Sequence, residues 1–272
     1  MTRAAVLGLP VAHSLSPALH NAGYAAAGLT SWRYTAVDCA EDELAGFVAG
    51  LDASWAGLSL TMPLKEVALA VAGSASPVAV AIGAANTLVH RPDGSWYADN
   101  TDVSGMTRVL TDAGLHSAPS VAVLGGGGTA RAALAAAASF GATEVTVVTR
   151  RPTAISELAT AAGALGVRLT GLPWEQAPDA FGADAVISTV PRGVADPLAT
   201  AVSWRRGVVL VDAIYDPWPT PLTERAIDLG RTVVTGIDLL AQQAVLQVRL
   251  MTGHDVPVDV VRNAALRAIG SG

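Results

Sequence analysis

Short apolar runs alternate along this chain with longer alanine-rich stretches whose apolar residues recur at helical spacing. The first run, Arg3 to Leu9, predicts a strand. Pro17 to Ala27 predicts a helix, with Ser16 as its cap, Pro17 in its first turn and Gly28 at its end. Trp32 to Val37 reads as a second strand, Glu41 to Leu51 as a second helix and Gly57 to Leu60 as a short third strand. Ala84 to His90 and Ser95 to Ala98 flank Pro92-Asp93-Gly94, which predicts a hairpin. A second α/β unit begins near Ser120. Val121 to Leu124 is its first strand, and a glycine cluster leads into a helix over Ala130 to Phe140. Glu144 to Thr149, Ala183 to Thr189, Val208 to Asp212 and Val233 to Thr235 predict further strands of that sheet. Two helices, Leu239 to Met251 and Val258 to Ile269, close the chain. This alternation predicts an α/β protein built on parallel sheets with crossover helices.

Composition narrows the function classes. A chain of 272 residues favours two domains. Hydrophobic residues at 51% against charged residues at 15% exclude a disordered chain. The net charge of -6, without a basic run, argues against nucleic acid as a partner. A single cysteine, Cys39, forbids an internal disulfide or a CxxC site and fits a cytoplasmic location. No apolar stretch reaches the length of a membrane span. Ala4 to Ala12 follows Arg3 somewhat as in a signal peptide, but Pro10 and His13 break the pattern, so none is expected. No His/Cys cluster offers a metal site.

The glycine cluster carries chemistry. Gly125-Gly126-Gly127-Gly128-Thr129-Ala130 follows an apolar strand and opens a helix, matching G-x-G-x-x-G/A with Ala130 at the third small position. Such a loop lets the backbone approach a pyrophosphate at a helix N-terminus. The alternative is a glycine-rich turn with no ligand. At the end of the next strand, NAD-selective sites place an acid for the ribose 2′-OH. This chain has Thr149-Arg150-Arg151 instead, and guanidinium groups suit a 2′-phosphate. The reading is NADP; the alternative is a pair of solvated surface arginines.

Four stretches of the first half place polar residues near strand ends. Ser14 and Ser16 lie between a strand and a helix N-terminus, where hydroxyls and free N–H groups can receive a carboxylate. A turn residue and a plain N-cap are the alternatives. Lysine is scarce, and Lys65 follows Thr61-Met62-Pro63-Leu64 close to a sheet edge. By composition alone it is a surface lysine. Gly83-Ala84-Ala85-Asn86-Thr87 and Asp99-Asn100-Thr101-Asp102 complete the set; Asp102 is expected to begin a helix, with an N-cap as the alternative.

In this order the motifs resemble the shikimate dehydrogenase family. The matching segments are Gly8 to Asn21 (G-x-P-[VI]-x-H-S-x-S-P-x-x-H-N), Thr61 to Lys65 (T-x-P-x-K), Gly83 to Thr87 (G-A-x-N-T) and Asn100 to Asp102 (N-T-D). They continue through the Gly loop to Arg131, through Asp212 to Pro217 with Thr220-Pro221-Leu222 behind, and through Gly236 to Ala244. The resemblance spans nearly the whole chain. It implies an N-terminal α/β substrate-binding domain over 1–101, joined by C-terminal helices over 237–272, and a Rossmann NADP-binding domain over 102–236, with a cleft between them. It implies Lys65 and Asp102 as the catalytic pair. Ser14, Ser16 and Tyr215 would hold the substrate carboxylate, and Thr61, Asn86 and Gln243 its ring hydroxyls. The loop Gly125, Gly126, Gly127, Gly128, Thr129 and Ala130, with Thr149, Arg150, Arg151 and Gly236, would bind the cofactor. His13 and His20 are read as structural.

The implied reaction is reversible reduction of 3-dehydroshikimate to shikimate with NADPH, in aromatic amino-acid biosynthesis, by a monomer or homodimer. Ketone reduction needs a hydride on carbon and a proton on oxygen; a lysine ammonium can supply the proton. A relative preferring quinate, with NAD, and a non-catalytic dinucleotide sensor are the competing readings. Four places depart from the family pattern: Ser59 stands for Asn, the stretch Thr149-Arg150-Arg151 for N-R-T/S, the stretch Ser188 to Pro191 for N-x-[TS]-P/S, and Asp238 for Gly.

Overall fold

The computed structural model describes residues 1–270, which divide into two compact units: residues 1–105 with 240–270, and residues 106–239. The first is built on a six-stranded mixed sheet. Its strands are β1 (Thr2–Gly8), β2 (Trp32–Asp38), β3 (Trp55–Leu60), β4 (Ser74–Ala75), β5 (Thr87–His90) and β6 (Trp96–Asp99), in the order β2-β1-β3-β5-β6-β4. β1 pairs in parallel with both β2 and β3, and its last five residues are buried, as a central parallel strand requires. β5 and β6 form the expected hairpin, antiparallel to each other, with Gly94 in the left-handed region at φ +83°. β5 also runs antiparallel to β3, so this sheet is not the parallel one the alternation suggested.

Its helices are α1 (Ser16–Ala26), α2 (Leu44–Ala49), α3 (Pro77–Ile82), α9 (Gly236–Thr252) and α10 (Val258–Ile269), α9 entering from the second unit. α1 begins one residue earlier than expected, and Ser16 does not cap it. Leu15 holds the cap position, while the Ser14 hydroxyl accepts the Ser16 N–H at 3.2 Å. The cause is the loop before it, where the Val11 carbonyl accepts the Ser14 N–H and draws Ser14 back over the helix end. α2 is shorter than the pattern suggested because the Glu43 carboxylate takes the Ala40 N–H and holds the preceding residues in a turn. α3, capped by Ser76, has too short an apolar repeat to stand out in sequence.

The second unit is a six-stranded sheet, parallel throughout. Its strands are β7 (Ser120–Leu124), β8 (Glu144–Thr149), β9 (Arg168–Pro173), β10 (Ala185–Ser188), β11 (Val209–Asp212) and β12 (Thr232–Val234), in the order β12-β11-β10-β7-β8-β9. Counted from β7 this is 6-5-4-1-2-3, the doubly wound dinucleotide-binding order, whose switch point lies between β7 and β10. α4 (Thr101–Asp112) leads into this unit, followed by α5 (Gly128–Ser139), α6 (Thr153–Leu165), α7 (Leu198–Ala201) and α8 (Pro221–Asp228). α5 buries Ala130, Leu134 and five further alanines; methyl side chains let a helix sit close against a sheet. α6 and the edge strand β9 are absent from the sequence reading. Alanine, threonine and glycine blur the helix repeat, and an edge strand with alternating exposure lacks a continuous apolar run.

Candidate active site

Lys65 is the only lysine in the chain. It sits in the turn that follows β3, where the Thr61 carbonyl accepts the Leu64 N–H and the Lys65 carbonyl accepts the Ala85 N–H at 2.8 Å. Its main chain is thereby tied to the segment that carries Asn86 just before β5. Its Nζ donates to Asp102 Oδ2 at 2.6 Å, with both side chains largely buried. Asp102 is the second residue of α4, so its carboxylate lies near the positive end of that helix. Every other basic side chain apart from the histidines is arginine, which cannot release a proton in a protein. The chain's one lysine side chain faces a carboxylate, the pairing that proton transfer to a substrate oxygen can use.

Around this pair the first unit holds a buried polar network. Asn86, Thr87, Thr101, Gln243 and Gln247 are all buried. Asn86 Oδ1 accepts the Thr101 N–H and the Thr87 hydroxyl, both at 2.8 Å. Asn86 Nδ2 donates to Thr101 Oγ1 at 3.0 Å and to Gln243 Oε1 at 3.3 Å. Gln247 Nε2 donates to Thr87 Oγ1 and to the Asn86 carbonyl, and its Oε1 accepts from Ser59 and His20. Ser59, where the family usually has Asn, also accepts the Tyr34 hydroxyl at 2.5 Å. Its small hydroxyl thus links a buried phenol to Gln247. His20 is fully buried against Tyr34, ring centroids 3.9 Å apart, and burial lowers its pKa to about 4. It is neutral and structural, as expected, whereas His13 lies exposed on its loop. Thr61 follows β3, with its side chain against Gly8, where a Cβ would collide with it. Ser14 is half-buried and Ser16 buried at the start of α1.

Gln247 and Tyr34 went unnoticed in sequence, while Thr87 entered only as the end of a motif and Ser59 only as a departure from the family pattern, neither with a role. A signal existed for one of them: Gln247 follows Gln243 by four residues and therefore shares its helix face.

In the second unit the glycine loop has the geometry that a pyrophosphate needs. Gly125 has φ +117°, and a Cβ there would collide with the Thr189 hydroxyl, which itself donates to the Leu124 carbonyl. Gly126 faces Ala154, while Gly127 borders open space at the N-terminus of α5, whose first turn carries no acid. Gly128 and Thr129 begin the helix, and Ala130 packs fully buried. These residues fit a dinucleotide.

The Thr149 hydroxyl accepts the Arg151 N–H at 3.1 Å and shapes the turn after β8. Arg150 and Arg151 are exposed, and Arg151 pairs with Glu157 at 3.2 Å. A cavity of about 530 Å³ opens beside Arg150, lined in part by Pro152, Ile155, Leu172, Trp174 and Glu175. Asp212 ends β11, buried, accepting the Thr220 hydroxyl at 2.9 Å and the Ile214 N–H; burial raises its pKa. These bonds shape the loop bearing half-buried Tyr215, whose phenol burial holds in the protonated, donating form. Gly236 starts α9 against the Ala213 carbonyl, where no Cβ fits. Asp238 forms a reciprocal cap there: its carboxylate accepts from the Thr235 hydroxyl at 2.7 Å, and Thr235 Oγ1 accepts the Asp238 N–H.

Three family profiles match the chain: a shikimate dehydrogenase substrate-binding domain over residues 6–88, a shikimate 5′-dehydrogenase C-terminal domain over 236–266, and an F420-dependent NADP oxidoreductase family over 120–215. The shikimate dehydrogenase (NADP(+)) of Synechococcus sp. (strain JA-3-3Ab) is 35% identical, covering 96% of this chain and 91% of the relative. That of Moorella thermoacetica is 36% identical, covering 98% and 93%. Among solved structures, Mycobacterium tuberculosis shikimate dehydrogenase superposes with a TM-score of 0.86 at 39% identity, covering 98% of this chain and 100% of the other. The Thermus thermophilus shikimate 5-dehydrogenase in complex with NADP(H) and shikimate gives 0.84 at 35% identity, covering 98% and 100%.

Proposed function

The chain belongs to the shikimate dehydrogenase family, and from that premise we propose that it catalyses the reversible NADP-linked reduction of 3-dehydroshikimate to shikimate. The observation that carries the reading is the 2.6 Å contact between Lys65 and Asp102, the single lysine of the chain held by a buried carboxylate. When bound, NADPH supplies the hydride. The Lys65 ammonium donates a proton to the forming alkoxide, and the neutral amine takes it back in the reverse direction. Asp102 aims that ammonium. Hydroxyls of Ser14 and Ser16 receive the ring carboxylate, with Tyr215 a further donor to it. Thr61, Asn86 and Gln243 hold ring hydroxyls. The loop Gly125 to Ala130 holds the pyrophosphate of the cofactor, Thr149, Arg150 and Arg151 its adenosine 2′-phosphate, and Gly236 also lines the cofactor site. The cytoplasm is the proposed location, with small molecules as partners.

A sensor without catalysis has no use for an aligned proton donor, so the Lys65–Asp102 pair disfavours that reading. The test is turnover of shikimate and quinate, each with NADP+ and NAD+. Shikimate with NADP+ is expected to give the highest kcat/KM; a higher value for quinate with NAD+ overturns the assignment.

A further inference from the structure

The hydrogen bonds around Asn86 have fixed directions, because main-chain groups with a single role set them. The Asn86 carbonyl can only accept, so the Gln247 atom 3.3 Å from it is the amide nitrogen. The Thr101 N–H can only donate, so the Asn86 atom 2.8 Å from it is Oδ1. The Leu240 carbonyl likewise fixes Gln243 with Nε2 towards itself at 3.1 Å and Oε1 towards Asn86. Between these anchors the Thr87 hydroxyl has one consistent state. It accepts from Gln247 Nε2 at 3.0 Å and donates to Asn86 Oδ1 at 2.8 Å. At its far end Gln247 is held by His20 and Ser59, both donating to Oε1.

The result is an amide N–H of Asn86 facing the carbonyl oxygen of Gln243 at 3.3 Å, a long and weak contact. A sugar-like hydroxyl accepts from the first and donates its single proton to the second. With Asn86 turned over, two acceptors would face that hydroxyl, and one of them would go unpaired. We infer that Thr87 and Gln247 are positioning residues for ring-hydroxyl recognition, acting together with the Thr101 N–H to hold the Asn86 amide in the one orientation that complements a hydroxyl alongside Gln243. The inference rests on the proposed role of Asn86 and Gln243 in binding the ring.

Thr87→Val keeps the shape and removes the hydroxyl. It is expected to raise the KM for shikimate roughly tenfold, the scale of one buried hydrogen bond, with kcat changed less than about threefold. The KM for NADP+ should stay within about twofold, and Thr87→Ser should restore the KM for shikimate. Gln247→Met is expected to shift the same constant in the same direction, and it serves where Thr87→Val does not fold. Unchanged shikimate KM in the folded variants overturns the inference. So does a parallel rise in both KM values that tracks a falling Tm, since that is a structural effect alone. Asn86→Ala separates the two layers. If it leaves the KM for shikimate unchanged, the binding role of Asn86 fails; if it raises KM while Thr87→Val does not, only the positioning claim fails.

Discussion

Lys65 in the first unit and the Arg150–Arg151 pair in the second are held in opposite ways. Lys65 is largely buried, bonded to Asp102 at 2.6 Å and anchored through its carbonyl to Ala85, next to Asn86. Arg150 and Arg151 stand exposed on a turn shaped by one threonine hydroxyl, and Arg151 shares an exposed ion pair with Glu157. A proton donor must meet a reacting atom within a few tenths of an ångström, so its orientation has to exist before substrate arrives. A phosphate carries charge on three oxygens, and long guanidinium arms can be ordered by the ligand itself. On the proposed roles, burial falls where geometry would decide the rate, and exposure where charge would decide selectivity.

The sharpest test of this contrast is Lys65→Arg, which keeps the cation and the partner but loses the transferable proton. We expect kcat to fall on the order of a thousandfold with NADPH affinity nearly unchanged. Near-normal turnover would show that charge alone suffices at this site. The next test concerns the core beneath it. The pKa of His20 is lowered from 6.5 to about 4, so the unfolded chain takes up the proton first. The stability contributed by neutral His20 is complete above about pH 6.5 and drains as pH falls towards 4, by about 3 kcal/mol. Denaturant unfolding across this window should show the loss, and His20→Gln should flatten it. Buried Asp212 in the second unit has the opposite sign. Its pKa is raised, so its contribution to stability is complete below the unfolded value and is lost as pH rises through the folded one.

A smaller effect is expected at the turn after β8, the proposed 2′-phosphate site. Arg150→Ala should lower kcat/KM for NADPH roughly thirtyfold and leave NADH within about twofold, as loss of a charge-assisted phosphate contact predicts. Equal losses with both cofactors would remove Arg150 from the 2′-phosphate. Smallest of all, Glu157→Gln frees Arg151 from an exposed pair. The KM for NADPH should fall about two- to threefold at low salt, and the gain should vanish at high salt. A gain that survives high salt would mean that Arg151 is held by more than its charge.

Much of the fold was legible. β8 and α10 lie at the residues the pattern predicted, because a buried strand and an amphipathic helix each print their period on the chain. α6 and β9 were not legible, since alanine, glycine and an exposed edge carry little periodic signal. Ser16 looked like a cap by position, yet the loop gives that task to Ser14. Asp238 had no account in sequence and proves to be half of a reciprocal cap with Thr235, three residues away; that spacing is local, and an acid can fill the place of the usual Glu or Gln.

Ordered motifs determined the family on their own, because they depend on residue identity and short spacing; composition alone left the solitary lysine a surface residue. The tertiary structure alone decided the directions of the amides. Gln247, Thr87 and Asn86 are separated by up to 161 positions. Which end of each amide donates depends on main-chain carbonyls and N–H groups that only the folded chain brings within 3.3 Å. A sequence records that these residues can donate and accept; packing chooses which they do.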